Sequence, residues 1–536
     1  VTKRLPDRTA PGPAPSAGTV PGPVRRVAQG ITRAVESRWT IPLAALAAFV
    51  LRLSGLTRPI RPDEAGFTLV ARSWAPEADS LYGHYFVDRP PLLIAVFRAS
   101  DAIGGPHFIR ILGALACAAL VLLAARTARL VAGETSARWT ALCVAAITSS
   151  TLINLVAVKG ELLGLPFVMA GCLLSILALR RGSVPLAALA GLSAATAVGF
   201  KQNLLGGLVF AGALLLVSLL TRRIDARAFL RLAAAGLAGA AVPVLATLGW
   251  AVAAGVRPGT LWYAIYGFRA DASAVLASHS SKAADERAVQ LVVIALMAGL
   301  LLVLGGFVVH LRSEWREDAP LAAATALMLA YDALGMVLGG SYWPDYLFAL
   351  VPSAALAAAL LTRHRTGRGL AMRGVIVLAV VSCTVSLVSW AAYNLTGNQE
   401  TDEVQLGAAI GEAAEPGDTL TVFGGRADLQ ISSGLDSPYE QLWSLPMRTL
   451  DPDLAELRAL VNGPDAPTWL VEWFPFTAWT REGGELLRQA VEERYVPETT
   501  DCGDGEATIW RLREAERPAV RPDCRTVGGA AGTSLP

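Results

Sequence analysis

Lysine is almost missing from this chain: four stand at positions 3, 159, 201 and 282, against 42 arginines. Charge of every kind is scarce, since only 17% of the 536 residues are Asp, Glu, Lys or Arg while 53% are hydrophobic. That balance excludes an ordinary soluble enzyme and places the chain with polytopic membrane proteins. The histidines, His84, His107, His279, His310 and His364, are too few and too scattered for a zinc site. No sequence period of 20 to 50 residues recurs, which sets aside solenoids and propellers. Of the six cysteines, Cys117, Cys143, Cys172 and Cys383 lie inside apolar runs, where cysteine behaves as a small hydrophobe. Cys502 and Cys524 lie 22 residues apart in Gly/Pro/Asp-rich sequence, a candidate disulfide if that part faces an oxidising compartment.

Eleven apolar runs are long enough to cross a bilayer, each about 17 to 25 residues. They fall near 40–56, 107–125, 139–157, 162–179, 184–200, 203–220, 232–254, 288–309, 319–339, 346–362 and 374–393. The expected fold is therefore a polytopic α-helical membrane protein of about eleven spans. Arg-rich loops such as "TRRIDARAFLR" and "TRHRTGRGLAMR" share a side with the basic tail of residues 1–39, which holds seven Lys/Arg against two acids. By the positive-inside rule that side is the cytoplasm. The tail, rich in Pro, Gly and Ala, is expected to be disordered.

Residues 394–536 carry 25 acids against 11 arginines. An odd number of spans puts this part outside, as a small acidic α/β domain. Helical patterns at "DEVQLGAAIGEAA", "DPDLAELRALV" and "EGGELLRQAVEE" alternate there with strand patterns at "TLTVFG", "TWLVEW" and "ATIWRL". The domain shows no metal-ligand cluster, phosphate loop or nucleophile elbow. Its negative charge argues against nucleic acid as a partner.

The chemistry is expected in the outward loops. Residues 57–106 form the longest, and a loop of that length is usually functional. It reads as two short helices, one opening at Pro62-Asp63 and one at the double proline Pro90-Pro91. Asp63 and Glu64 in "RPDEAGF" can serve the helix N-terminus as caps. They can also serve chemistry, and the two roles are compatible. With Asp88, which opens the second helix, they are the candidate catalytic carboxylates: a general base, and a group that orients an acceptor or binds a divalent cation such as Mg or Mn.

A lone lysine at a span end is usually a snorkelling anchor. Lys159 and Lys201, at successive outward turns, instead read as point charges for an anionic ligand, with phosphate the candidate. Glu161 adds a carboxylate at the same level, or pairs locally with Lys159. In "GGSYWPDYLFALVP", Tyr342, Trp343, Asp345 and Tyr346 stand at an outward end, as aromatic belt or as platform for a sugar ring. Arg269, with Trp262, Tyr263, Tyr266 and Phe268 in the loop of residues 255–287, either lies in the membrane interface or lines a groove for a lipid phosphate.

This order of motifs resembles the GT-C superfamily of integral-membrane glycosyltransferases. The shared order is an Asp-Glu start of the first outward loop, "DRPPLL", an outward acid, and an outward lysine in "GFKQN". It is closest to the branch of protein O-mannosyltransferases, aminoarabinose transferases and lipopolysaccharide-core sugar transferases, and covers roughly residues 40–362. The resemblance implies a polyprenyl-phosphate-sugar donor and transfer with inversion to a cell-envelope acceptor. Asp63 would be the base or an essential acceptor-site carboxylate. Arg89, Lys201, Lys159 and Arg269 would hold the donor phosphate, and Glu161, Tyr342, Trp343, Asp345 and Tyr346 the acceptor or sugar. Arg89 replaces the Lys or His usual in the family, and Phe200 and Gln202 replace the Thr and Pro that flank the lysine. The Ala/Arg/Gly-rich composition suggests a bacterial plasma membrane. Two other classes stay open: a lipid-linked sugar flippase or transporter, and a non-catalytic protein that assembles envelope partners.

Overall fold

The computed structural model describes residues 35–278, 282–396, 401–499 and 507–522. The basic tail up to residue 34 and both Cys502 and Cys524 lie outside the described residues.

Every expected apolar run contributes helix. In chain order these are α1 (Thr40–Leu53), then the two loop helices α2 (Pro62–Arg72) and α3 (Pro91–Gly104), then α4 (Ile109–Ala132), α5 (Glu134–Thr148), α6 (Gly160–Arg181), α7 (Val184–Val198), α8 (Gly206–Leu220) and α9 (Ala226–Ala253). Next come α10 (Phe268–Ser278), α11 (Lys282–Met297), α12 (Leu300–Glu317), α13 (Ala319–Leu338), a 3₁₀ turn at Pro344–Leu350 leading into α14 (Val351–Thr362), and α15 (Arg368–Thr396). Among the described residues six segments are long and apolar enough to cross a membrane, α4, α6, α9, α13, Pro344–Thr362 and α15, or seven if the bent pair α11–α12 is one span. The helices α1, α7 and α8 are apolar but have only 14 or 15 residues. At 1.5 Å per residue that is about 22 Å, short of the roughly 30 Å hydrocarbon core.

Two runs differ from the expected straight spans. The run at 288–309 is broken between α11 and α12 by a 78° bend. Gly299 sits there with φ +78, a left-handed conformation that glycine adopts without steric cost. The run at 139–157 leaves the helix after Thr148, and residues 151–159 continue as irregular chain. Irregular backbone inside an apolar bundle needs protein partners. The buried Arg52 guanidinium supplies them by donating to the carbonyls of Asn154 (2.8 Å) and Leu155 (3.1 Å), while the Asn154 side-chain oxygen accepts from the amides of Val156 and Ala157.

The last part builds a four-stranded sheet from β1 (Leu420–Phe423), β2 (Trp469–Glu472), β3 (Tyr495–Thr499) and β4 (Thr508–Leu512) in the order β1-β2-β4-β3. β1 and β2 are parallel and the other pairs antiparallel. Its helices are α16 (Asp402–Ala413), α17 (Ala427–Ser433), α18 (Ser444–Leu450), α19 (Ala455–Asn462) and α20 (Arg481–Arg494). Period-two alternation sends Leu420, Val422, Trp469, Val471 and Ile509 to one face, against Leu406, Ile410 and Leu429. Phe423, Leu470 and Trp510 go to the other, against Leu457, Leu487 and Val491. Both faces are covered, which is why these strands read as continuous apolar runs. The three expected strands and three expected helices all form. The sequence reading missed β3, which carries Pro497 and follows α20 without a turn, and the seven-residue helices α17 and α18.

Candidate active site

Successive residues on a helix point about 100° apart, and at the start of α2 that rotation separates Asp63 from Glu64. Glu64 turns inward and is completely buried. It closes the helix start by accepting from the Arg61 amide (3.3 Å), accepts from the Val158 amide (2.9 Å), and takes the Arg110 guanidinium at 2.6 Å. Arg110 also donates to the carbonyls of Gly55, Arg58 and Pro59, so the pair ties the end of α1 and the loop entry to α4. Every oxygen of Glu64 is committed to structure. Glu64, expected among the catalytic carboxylates, is the one of the adjacent pair that faces inward.

Asp63 turns the other way and keeps 26% of its side chain exposed. Its Oδ2 lies 2.9 Å from Lys159 Nζ, and its Oδ1 accepts from the indole Nε1 of Trp443 at 2.9 Å. Lys159 reaches a second carboxylate, Asp345, at 2.8 Å, and the other oxygen of Asp345 accepts from Asn154 Nδ2 at 2.6 Å. Burial alone would raise the Asp63 carboxyl, but the Lys159 charge and hydrogen bond, the Arg89 charge and the Trp443 hydrogen bond outweigh it and bring it down to about 2. Burial would likewise lower Lys159, yet the charges of Asp345 and Asp63 hold it well above the usual lysine range. Both groups are charged at neutral pH. Lys159 and Asp345, expected as separate phosphate and sugar contacts, are thus one ion-paired unit with Asp63.

A second unit lies at the neighbouring turn. Lys201 pairs with Glu161, and its ammonium stands 4.4 Å from the centre of the Tyr346 ring, a cation–π geometry. The alternative pairing of Glu161 with Lys159 is not the one formed. Gly160 permits the approach, because a Cβ there would lie 2.3 Å from the Phe200 carbonyl oxygen. The third unit is Asp88, which holds Arg89 (2.6 Å) and also pairs with Arg269. Gln202 donates to the Asp88 carbonyl at 3.0 Å and links this unit to the Lys201 turn. Burial lowers the Arg89 guanidinium, and the charges of Asp88, Asp63 and Glu161 raise it further, so that it remains charged. Trp343 and Tyr342 stand aside from these units: the Trp343 ring lies 4.8 Å from the Arg287 guanidinium, Arg287 donates to the Ser341 carbonyl, and Tyr342 packs into the apolar core.

Four carboxylates and four cations thus meet beside the ends of α2, α3, α6, α8 and α13. The sequence reading missed Asn154 and Trp443. Asn154 sits in a run that reads as span, and Trp443 lies 380 residues from its partner, so neither carried a local signal.

The carboxylates that could hold a divalent cation are engaged in ion pairs here. Each carboxylate faces a Lys or Arg, and the Lys159 ammonium stands between Asp63 and Asp345. Among the described residues the grouping with metal-ligand spacing is Glu314, Glu317 and His364, at the opposite end of the bundle, and there Arg363 and Arg368 occupy both carboxylates.

No protein-family model and no curated protein matches the chain by sequence. Solved structures do match by fold. The apo structure of ArnT from Cupriavidus metallidurans aligns with TM-score 0.59 and 14% identity over 90% of this chain and 98% of that one. ArnT from the same organism bound to undecaprenyl phosphate gives 0.58 and 14% over 88% and 97%. The Archaeoglobus fulgidus oligosaccharyltransferase in its apo form gives 0.54 and 11% over 87% and 70%, and it has also been solved in complex with Zn and sulfate. At these identities the likeness is one of fold.

Proposed function

We propose that this chain is a membrane glycosyltransferase that moves a sugar from a polyprenyl-phosphate-sugar donor to a hydroxyl of a cell-envelope acceptor. The work takes place at the outer face of a bacterial plasma membrane, with the N-terminus cytoplasmic and the α/β domain outside. One observation carries the reading: carboxylates and cations from widely separated segments converge at one end of a bundle whose fold is shared with a protein captured on undecaprenyl phosphate.

In this reading Asp63 accepts the hydrogen bond of the acceptor hydroxyl. Its two oxygens each already take one bond, from Trp443 and Lys159, and a carboxylate has about four lone-pair sites. The hydroxyl oxygen attacks the anomeric carbon on the face opposite the phosphate, the new C–O bond forms, and the C–O bond to the phosphate breaks. The electron pair leaves on the polyprenyl phosphate, and the hydroxyl proton passes to Asp63. A carboxylate with so low a pKa is a weak base, which suits a late transfer: the attacking oxygen becomes strongly acidic only once it has bonded to carbon. Lys201, Arg89 and Arg269 stabilise the departing phosphate. Each is already paired with Glu161 or Asp88, so the phosphate competes for them, and the carboxylates take the cations back when it leaves. Tyr346, over Lys201, offers a ring face beside the sugar.

The test is transfer from a panel of radiolabelled polyprenyl-phosphate sugars into envelope acceptors by detergent-purified protein. Label in the acceptor supports the proposal. Movement of intact donor across proteoliposomes without transfer would favour a transporter instead.

A further inference from the structure

The contact between Trp443 and Asp63 joins the two halves of the chain at the reacting carboxylate. Trp443 immediately precedes α18, in the α/β part, and its indole lies against the first turns of α2. Gly66 makes the room: a Cβ at that position would lie 2.2 Å from Cζ2 of the indole and 2.7 Å from Cη2. Asp63 and Gly66 are three residues apart and share a helix face, so one side of α2 is shaped to receive this ring. Phe67 lies beside it with ring centroids 5.6 Å apart.

The placement is braced from behind. Gly425, at φ +81, lets the backbone of Trp443 and Ser444 close on it, since a Cβ there would lie 2.3 Å from the Ser444 amide nitrogen. Residues 84–86 of the first loop dock just upstream. The Phe86 amide donates to the Glu440 carbonyl (3.1 Å), His84 Nε2 meets the Ser437 carbonyl (2.6 Å), and the Ser437 amide donates to the Tyr85 hydroxyl (3.0 Å).

We infer that Trp443 is a positioning residue for Asp63, so that the α/β part completes the active site rather than merely hanging beside it. This rests on the proposed role of Asp63. The indole N–H fixes Oδ1 and with it the plane of the carboxylate, which leaves the remaining lone pairs aimed at the cleft. Lys159 holds the other oxygen, Oδ2, so the indole N–H supplies the second point that fixes the plane; an indole ring without N–H would fill the same space and leave Oδ1 without this donor.

The test compares the full-length parent with Trp443→Phe, with a variant carrying benzothienylalanine at 443 (a tryptophan isostere without N–H), and with Gly66→Ala, which displaces the ring. A hydrogen bond to a charged group corresponds to about a tenfold to hundredfold effect. The expected result is a loss of that size in kcat with donor KM changed less than about twofold, an acid limb of the pH profile moved upward, and a melting temperature near the parent's for the isostere. A readout independent of turnover is labelling of Asp63 by a water-soluble carbodiimide, which needs the protonated carboxyl: labelling should begin at a higher pH in all three variants. Unchanged kcat and an unchanged labelling profile in the isostere would overturn the inference. Asp63→Asn, measured alongside, separates the two ideas: if it abolishes transfer while the isostere does nothing, only the role of Trp443 fails, and if it transfers normally, the reading of Asp63 itself fails.

Discussion

The two ends of the helical bundle both carry interleaved acids and cations, yet they are assembled differently. At one end Glu314 and Glu317 of α12 meet Arg363, His364 and Arg368 from the turn between α14 and α15. Two short stretches of chain make that whole cluster, and it clamps neighbouring helices. At the other end Asp63, Asp88, Lys159, Glu161, Lys201, Arg269, Asp345 and Trp443 come from seven separate stretches, and Asp63 keeps open exposure while Glu64, one residue on, has none. Clamping two helices needs only one stretch from each. A convergence from so many segments around a partly open carboxylate is what chemistry asks for.

The comparison breaks first, and most strongly, at Asp63. Asp63→Asn is expected to lower transfer by about a hundredfold to ten-thousandfold with little change in melting temperature. Glu314→Gln at the other end should do the reverse, keeping the specific activity of the folded fraction while lowering the melting point. Glu64→Gln tests whether adjacency to Asp63 matters at all. Leaving Arg110 buried without its carboxylate should cost about 3–5 kcal/mol of stability, seen as lost yield and earlier thermal unfolding in detergent, with activity lost only in proportion to folded protein.

Smaller effects sharpen the division of labour among the cations. Lys201→Ala removes a charge-assisted contact to the departing phosphate and frees Glu161 to repel it, so donor KM should rise about tenfold to a hundredfold. Lys159→Met acts on Asp63 through its proton. In the parent the folded carboxyl lies below its unfolded value of 3.8, so its contribution to stability is present above that pH and is lost as pH falls toward about 2. Without Lys159, burial is opposed only by Arg89 and Trp443. The pKa then rises, and the acid limb of the activity profile should move upward into the measurable range.

Much of this was legible in the sequence. The apolar runs, both loop helices and most of the C-terminal elements follow from periodicity, because each is decided by neighbours a few residues away. The acids and cations of the site stood out for the same reason: charge is rare here, and Asp63, Asp88, Lys159 and Lys201 punctuate helix starts and turns. Pairing was not legible. Nothing local says that Lys201 takes Glu161 while Lys159 takes Asp63 and Asp345, that Glu64 turns inward to Arg110, or that a tryptophan at 443 meets an aspartate at 63. The unwinding after Thr148 and the bend at Gly299 were hidden too, because apolar composition is the same whether a run is straight or broken.

The most direct test of the account is single-turnover transfer by the purified parent and by Asp63→Asn, each shown by its melting curve to be folded, with the best donor of the polyprenyl-phosphate-sugar panel bound at saturation. The account predicts rapid appearance of labelled acceptor with the parent and a rate at least about a hundredfold lower with the variant. Equal rates from the two folded proteins would contradict it, and would reduce Asp63 to a counter-ion of Lys159.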